Sequence, residues 1–161
     1  MPQADRWLRY VEDRPYGLLL QTAFYTGMRL GELLGLRWRD VDLEAGLIFV
    51  RQQYDAVAHE FRDTKSHRGR RGMAIPEVLA ERLRVARKQH LALLEAAPSL
   101  WQHRELVFGS AAGRVLNAAS VRRTHYRYLR ELGLPKIKPH ELRHTHATHL
   151  LGQGADRARC R

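Results

Sequence analysis

The densest group of side chains that could do chemistry lies at residues 139–151, which read PHELRHTHATHLL. His140 and Arg143 are three residues apart, so both side chains can face one ligand if the segment is helical. Pro139 is a good first-turn residue, and the free backbone N–H groups of a helix start favour an anion. This spacing therefore predicts a phosphate-binding pair.

The same segment also matches a zinc pattern, H-E-x-x-H, at residues 140–144. In that pattern His140 and His144 would hold zinc and Glu141 would act as a base, with a third protein ligand from elsewhere. The extended form of the pattern needs a glycine and a further histidine at positions where this chain has Ala147 and Leu150. A zinc hydrolase is therefore the weaker alternative, and we expect no metal and no other cofactor.

Two other segments carry residues that could contact the same phosphate. In TGMRLGE at 26–32, a helix break at Gly27 is followed by Arg29, and Glu32 is placed to orient its guanidinium. The alternative for this pair is a purely structural salt bridge. Lys65 stands in the polar loop 63–71, where a lone lysine is ordinarily solvated. Alone, neither segment decides between a binding role and a structural one.

The elements that must position these residues are mostly helices. Apolar residues at helical spacing, and short β-rich runs bounded by turn residues, predict the order of the elements. We expect a buried helix over 16–25 ended by Gly27, a short helix carrying Leu30, Leu33 and Leu34, a strand at 47–50 with further strands around 57–62 and 72–75, and helices over 77–95, 118–132 and from Pro139 onward. The pattern predicts a mainly α domain with a small antiparallel β-sheet.

The charge of the chain is consistent with a nucleic-acid partner. It has 28 Lys and Arg against 17 Asp and Glu, a formal net charge of +11 at pH 7. The positive charge belongs to the part of the chain after residue 61, because residues 1–61 hold more acidic than basic side chains. Most of the basic residues are arginines, which bind phosphate with two parallel hydrogen bonds. The alternative is a merely basic, soluble surface.

The predicted helix over 118–132 shows this charge in an ordered form. Its apolar face carries Val121, His125, Tyr128 and Leu132, and its opposite face carries Arg123, Arg127 and Arg130. Three guanidinium groups in one stripe can follow a phosphate backbone, and the alternative is an ordinary solvated helix face.

Composition excludes several classes of protein. The one cysteine, Cys160, provides neither a disulfide framework nor a thiolate metal site. No apolar run approaches the ~20 residues that a membrane-spanning helix needs. A length of 161 residues fits one ordinary domain. We therefore expect a single-domain cytoplasmic protein without a membrane partner.

Three blocks together point to a family. They are TGMRLGELLGLRWRDVD at 26–42, TKSHRGRRGMAIP at 64–76 and PHELRHTHATHLL at 139–151. In these blocks the sequence resembles the catalytic domain of the tyrosine recombinase (phage integrase) family. The resemblance implies the fold of the DNA breaking-rejoining integrase catalytic core. It also accounts for residues 140–144 as the family's H-x-x-R-H box, without a metal.

The resemblance further implies site-specific strand exchange on double-stranded DNA. In that reaction a tyrosine attacks the scissile phosphodiester, forms a 3′-phosphotyrosyl link and frees a 5′-hydroxyl. Carried over to this chain, Arg29 and Arg143 clamp the phosphate, Lys65 is the general acid, His140 handles a proton and Glu32 braces Arg29. Further DNA contacts are expected from Arg68, Arg70, Arg71, Arg123, Arg127 and Arg130. Other recombinase protomers are further possible partners.

The chain also departs from the family pattern. The family places its nucleophilic tyrosine after the His140 box, but all six tyrosines here precede it, namely Tyr10, Tyr16, Tyr25, Tyr54, Tyr126 and Tyr128. We therefore expect one catalytic domain over 1–161, lacking an N-terminal core-binding domain and the C-terminal segment with the nucleophile. Such a chain would be an inactive fragment. The alternative is a noncatalytic DNA-binding remnant.

Overall fold

The described residues of the domain form five α-helices and five short strands. The structure, a computed structural model, describes residues 3–63 and 72–137. The helices are α1 (Gln3–Val11), α2 (Gly17–Thr26), α3 (Leu30–Leu34), α4 (Glu77–Ala96) and α5 (Ala118–Glu131), and the strands are β1 (Val41–Asp42), β2 (Leu47–Phe49), β3 (Gln52–Asp55), β4 (Glu60–Asp63) and β5 (Gly72–Ala74). Two 3-10 turns, Trp38–Asp40 and Pro98–Leu100, complete the described elements. The expected mainly α architecture with a small antiparallel sheet is confirmed.

The strands form two separate antiparallel units. One is a three-stranded sheet in the order β1-β2-β5, in which Ile48 pairs with Val41 on one side and Met73 on the other. The other is the hairpin β3–β4, in which Tyr54 pairs with Phe61. The sheet places the completely buried Ile48 in the core. The hairpin is instead carried by the helix α3, as described below.

The strand predicted around 57–62 is wrong at its start. Residues 56–59 form the turn of the hairpin, and β4 begins only at Glu60. The reason is local: the Asp55 carboxylate accepts hydrogen bonds from the N–H groups of Val57 (2.9 Å) and Ala58 (3.1 Å). His59 then takes a φ of 54°, a left-handed conformation that a strand does not contain. An aspartate that bonds its own backbone two residues on is a turn signal that outweighs the apolar character of the segment.

The helix α2 matches its prediction closely. It contributes Leu19, Leu20 and Phe24 to the core and ends at Gly27, which has a φ of 63°. The Gly27 N–H donates to the carbonyl of Ala23 at 2.9 Å, the usual way in which a left-handed residue closes a helix. This end fixes where the chain turns toward Arg29.

The helix α1 is not foreseen by the sequence analysis. It buries Trp7, Leu8 and Val11, and the Trp7 ring packs edge-on against His125 of α5 at a centroid distance of 5.8 Å. The described part of the domain therefore begins before the helix at 16–25. None of the described helices is long and apolar enough to cross a membrane.

The helix α5 shows both of its predicted faces. Val121, His125 and Tyr128 are buried, and Asn117 caps the helix by accepting a hydrogen bond from the N–H of Ser120 at 3.0 Å. His125 is completely buried, and its Nε2 lies 3.1 Å from the carbonyl oxygen of Ile137. Because a carbonyl only accepts, this ring nitrogen carries the proton. Burial also lowers the pKa of His125, which therefore stays neutral in the folded protein at pH 7.

We expect the stability of the domain to fall as the pH drops below about 6.5, the ordinary histidine pKa. The unfolded chain then binds a proton at His125 that the folded chain does not bind, so the free energy of unfolding decreases. His125→Gln removes the imidazole that titrates. Between pH 7.5 and pH 5.5, the free energy of unfolding of this variant should therefore fall by about 1 kcal/mol less than that of the wild type. Urea unfolding of both proteins at the two pH values measures the difference. Equal losses in the two proteins would contradict the prediction.

Candidate nucleic-acid interface

Arg29 stands at the junction between α2 and α3. It precedes the first residue of α3 with an extended backbone, and the buried Met28 anchors the connection from Gly27. Its side chain is 64% exposed. The fold therefore presents a guanidinium group to solvent from a backbone position that is fixed on both sides.

Glu32 holds Arg29 through two contacts. One carboxylate oxygen, Oε2, accepts a hydrogen bond from the Arg29 backbone N–H at 2.7 Å, and the other, Oε1, lies 3.5 Å from Arg29 Nη1. The Glu32 side chain is only 3% exposed, so its position is set by packing as well as by these contacts. An arginine has five N–H donors, and this contact leaves most of them facing solvent. The geometry is the one that the bracing hypothesis requires.

The hairpin β3–β4 lies directly on α3 through two glycines. A Cβ atom at Gly31 would come within 2.8 Å of the Tyr54 carbonyl oxygen, and one at Gly35 would come within 3.0 Å of Gln53 Cα. Side chains larger than hydrogen at either position would push the hairpin away. The strand β4 ends at Asp63, two residues before Lys65 in the sequence. The contact between the hairpin and α3 therefore sets the position from which the chain continues toward that lysine.

A buried polar network fastens β3 to the end of α3. Gln52 donates from Nε2 to the Gly35 carbonyl at 2.8 Å and accepts from Arg37 Nη1 at 3.1 Å. Arg37 Nε also donates to Asp40 Oδ2 at 2.7 Å, and Arg51 Nε lies 3.2 Å from Asp40 Oδ1. These residues were not among the predicted site residues. The three-residue spacing of Arg37 and Asp40 was the signal that could have found the pair.

The arginine stripe of α5 is exposed, as its spacing predicts. Arg123, Arg127 and Arg130, together with Thr124 and Tyr126, line a groove of ≈ 450 Å³. Glu131 forms an ion pair with one member of the stripe, at 3.8 Å from Arg127 Nε, and the three guanidinium groups outnumber this carboxylate. The predicted stripe on one exposed face is confirmed, and its contact with DNA stays a prediction.

Lys136 extends this basic surface and was missed by the sequence analysis. Its Nζ lies 4.8 Å from the centre of the Tyr126 ring, and both residues line a neighbouring groove of ≈ 530 Å³. The cation–π contact holds the lysine beside the stripe. Its signal in the sequence is weak, because it follows the helix and lies outside the helical spacing of the three arginines.

The other predicted site residues lie outside the described residues. They are Lys65, Arg68, Arg70, Arg71, His140 and Arg143. The structure therefore brings Arg29 and Glu32 together and does not describe their relation to the rest of the predicted phosphate site. The histidines of the zinc pattern also lie outside the described residues. Within residues 3–63 and 72–137, no group of three or more His, Cys, Asp or Glu side chains could hold a metal ion.

All six tyrosines fall within the described residues, and several are engaged in structural contacts. Tyr128 is buried, and its hydroxyl donates to the Pro15 carbonyl at 3.1 Å. The hydroxyl of Tyr10 donates to a Glu131 carboxylate oxygen, and this hydrogen bond raises the pKa of Tyr10. Burial raises the pKa of Tyr25. A nucleophilic phenol must lose its proton, so both shifts oppose that role.

Comparison of the sequence with known families gives one match over nearly the whole chain, to the phage integrase family at residues 4–159. Among curated relatives, the chain is 32% identical to the tyrosine recombinase XerC of Thermodesulfovibrio yellowstonii over 142 residues, which cover 86% of the chain and 42% of the relative. It is 35% identical to XerC of Lactobacillus leichmannii over 135 residues, which cover 83% and 40%. The chain thus spans about two fifths of the length of these relatives.

Solved structures share the fold. The integrase of transposon Tn1549 in complex with transposon right end DNA superposes with a TM-score of 0.76 at 20% identity, covering 96% of this chain and 53% of that one. The XerA recombinase gives 0.72 at 25% identity, covering 97% and 52%. The lambda integrase catalytic core gives 0.59 at 21% identity, covering 93% and 82%. The expected integrase catalytic-core fold is confirmed.

Proposed function

The chain belongs to the phage integrase family, and from this premise we propose that it is the DNA-binding catalytic domain of a site-specific recombinase. Its substrate is double-stranded DNA, and the reaction of the whole protein is DNA integration and recombination by strand exchange. Two relatives are named tyrosine recombinases, and one structural neighbour is an integrase complexed with transposon end DNA. These names support the substrate and the reaction.

The observation that carries the proposal is the way Glu32 presents Arg29. During phosphoryl transfer, negative charge grows on the nonbridging oxygens of the phosphate, and a donor that is already oriented stabilises that charge without reorganising. Arg29 is such a donor, because a buried carboxylate fixes its backbone and one guanidinium nitrogen. We assign Arg143 to the second clamp on the same phosphate.

The proposed chemical step needs two proton transfers. The tyrosine oxygen forms a bond to phosphorus as the bond between phosphorus and the 5′-oxygen breaks. In our assignment Lys65 gives a proton to the departing 5′-oxygen, and His140, beside the phosphate, accepts the proton that the tyrosine hydroxyl loses. A lysine near its ordinary pKa of ~10.4 gives up a proton reluctantly, and nearby arginines lower that pKa. The family position of the nucleophile is filled by none of the six tyrosines, so the 161-residue chain is proposed to bind DNA without cleaving it.

The proposed location and partners of the protein follow from its substrate. We propose that the protein works in the cytoplasm, where the DNA of a bacterial cell lies and where a lone cysteine stays reduced. Other recombinase protomers on the same DNA are proposed as partners. The arginine stripe of α5, with Lys136 beside it, is the surface that we assign to the phosphate backbone outside the reacting centre.

Removing the stripe should weaken DNA binding and its dependence on salt. Each lost phosphate contact lowers the slope of log K against log[salt] by about 0.9, so Arg123→Ala/Arg127→Ala/Arg130→Ala should lower it by about 2.7. At ~0.1 M salt this corresponds to an affinity loss of about a hundredfold or more. Fluorescence anisotropy with a labelled 30-base-pair duplex between 50 and 300 mM KCl measures both quantities.

A charge-matched variant separates a binding surface from overall charge. Arg9, Arg104 and Arg114 are exposed residues of other segments, and their triple alanine variant loses the same three charges. We expect its slope to stay within about 1 of the wild-type value. Equal losses in the two triple variants would show that only net charge matters, and a wild-type affinity independent of salt would refute the proposed phosphate contacts.

A further inference from the structure

A second groove lies between the helix α4 and the segment that contains the first 3-10 turn and β1. It has a volume of ≈ 670 Å³, with Val85, Lys88 and Leu91 of α4 on one side and Trp38 and Val41 on the other. We call it the α4 groove. None of the residues that we assign to DNA or to the phosphate site lines it.

Three cations of the α4 groove have no carboxylate partner among the described residues, namely Arg39, Arg87 and Lys88. Arg84 differs from them, because its Nη1 lies 2.6 Å from a carboxylate oxygen of Glu81 and it is thereby neutralised. A cluster of unpaired cations in a concave surface raises the local concentration of anionic groups. The groove is therefore suited to a ligand with negative charge.

Trp38 lies beside these cations in the lining of the groove. The residue is only 8% exposed, it forms part of the groove lining, and its buried Nε1–H has no acceptor within the described part of the chain. Arg87 lies over its ring, with 6.0 Å between Cζ and the ring centre. This cation–π contact holds the Arg87 guanidinium at the groove.

Exposed aliphatic side chains border the same groove. Val85 is 53% exposed and Leu91 is 50% exposed, and both lie on the face of α4 that lines it. Aliphatic side chains beside unpaired cations suit a ligand that has apolar and acidic groups together. The groove on α5, lined by arginines, Thr124 and Tyr126, has no such aliphatic border.

Carboxylates in the lining argue against DNA as the occupant. Asp42, Glu44 and Glu81 also line the α4 groove. Double-stranded DNA carries one charge per about 1.7 Å of its axis, so a phosphate backbone cannot avoid these acids. A peptide can place a few carboxylates against the cations and apolar side chains against Val85 and Leu91.

We propose that the α4 groove docks an acidic amphipathic peptide segment of a partner protein. Carboxylates of the segment pair with Arg39, Arg87 and Lys88, and its aliphatic side chains cover Val85 and Leu91. Protein docking is thereby separated from the surface that we assign to DNA.

The test uses the full 161-residue chain and a defined probe. The probe is a fluorescein-labelled 18-residue helical peptide with leucines on one face and glutamates on the other, and the control peptide has the same composition in scrambled order. We expect saturable binding of the probe, at least tenfold weaker binding of the scrambled peptide, and at least a tenfold loss of probe affinity in Arg87→Ala/Lys88→Ala. Val85→Ser/Leu91→Ser should weaken binding of the probe to a similar degree.

Matched variants decide the outcome. Arg9→Ala/Arg114→Ala removes the same charge as Arg87→Ala/Lys88→Ala and should leave probe affinity unchanged, and circular dichroism confirms that each variant is folded. The Arg87/Lys88 variant should keep wild-type DNA affinity. No saturable probe binding, or equal binding of the scrambled peptide, would overturn the proposal. Loss of DNA affinity in the Arg87/Lys88 variant, with displacement of the probe by duplex DNA, would identify the groove as a DNA contact instead.

Discussion

Replacing Asp40 by alanine is expected to lower the free energy of unfolding by about 3–5 kcal/mol. Asp40 is 3% exposed, and its two carboxylate oxygens bind Arg37 and Arg51. Removing the carboxylate leaves the buried Arg37 guanidinium without its countercharge, and a buried unpaired charge is among the costliest defects in a protein. Urea unfolding at pH 7, followed by tryptophan fluorescence, measures the change.

Two further variants make this prediction specific. Asp40→Asn keeps one acceptor oxygen for Arg37, so we expect a loss smaller than that of Asp40→Ala. Asp42→Ala removes a nearby exposed carboxylate that accepts hydrogen bonds from the N–H groups of Glu44 and Ala45, and should cost only about 1 kcal/mol. If Asp40→Ala and Asp42→Ala had equal effects, the buried network would not be what fastens the hairpin to α3.

The helices that the sequence predicts well are those whose signals are local. The apolar residues of α2 and α5 recur at helical spacing, and Gly27 ends α2 because few other residues adopt its φ of 63° so readily. The exposed face of α5 follows from the same spacing, so the positions of its three arginines could be predicted without tertiary information.

Two elements that were not predicted from the sequence, α1 and β3, make contacts with distant parts of the chain. The helix α1 buries Trp7 against Phe24 and against His125, which lies more than a hundred residues away along the chain. The strand β3 is a polar run. Placing the Gln52 side chain against α3 is favourable only because it forms hydrogen bonds with the Gly35 carbonyl and Arg37. The strand β3 leaves no hydrophobic period of its own in the sequence, whereas α1 does, because Ala4, Trp7, Leu8 and Val11 recur at helical spacing and could have been used to predict it.

In the candidate site, too, the features set by local spacing could be predicted, and those set by tertiary contacts could not. The three-residue spacing of Arg29 and Glu32 predicts that their side chains meet, and the structure places them 3.5 Å apart. The spacing did not show that the stronger contact of Glu32 is with the Arg29 backbone N–H, because that contact depends on where α3 begins. The close approach of β3 to Gly31 could not be predicted from the sequence either, since a glycine in a helix can have several causes.

The 161-residue chain is expected to form no covalent product with DNA. A duplex nicked just 3′ of the scissile phosphate traps a phosphotyrosyl link, because the short leaving strand diffuses away and cannot reattack. Denaturing electrophoresis of such a substrate after incubation with the protein would then show only free DNA. The physical reason is that none of the six tyrosines follows the His140 box; in addition, Tyr128 is held on the Pro15 carbonyl, and the pKa values of Tyr10 and Tyr25 are raised.

The control for this experiment must separate absent chemistry from absent binding. The same nicked duplex in the salt-dependent anisotropy measurement should bind the wild type and bind the triple variant of the α5 stripe much more weakly. Binding without a covalent band supports a domain that contacts DNA and lacks a nucleophile. A covalent band from the wild type would contradict the prediction, and its loss in Tyr25→Phe or in Tyr126→Phe would identify the attacking hydroxyl. Because these hydroxyls lie on different elements, α2 and α5, the variant that abolished the band would also show which helix faces the scissile phosphate.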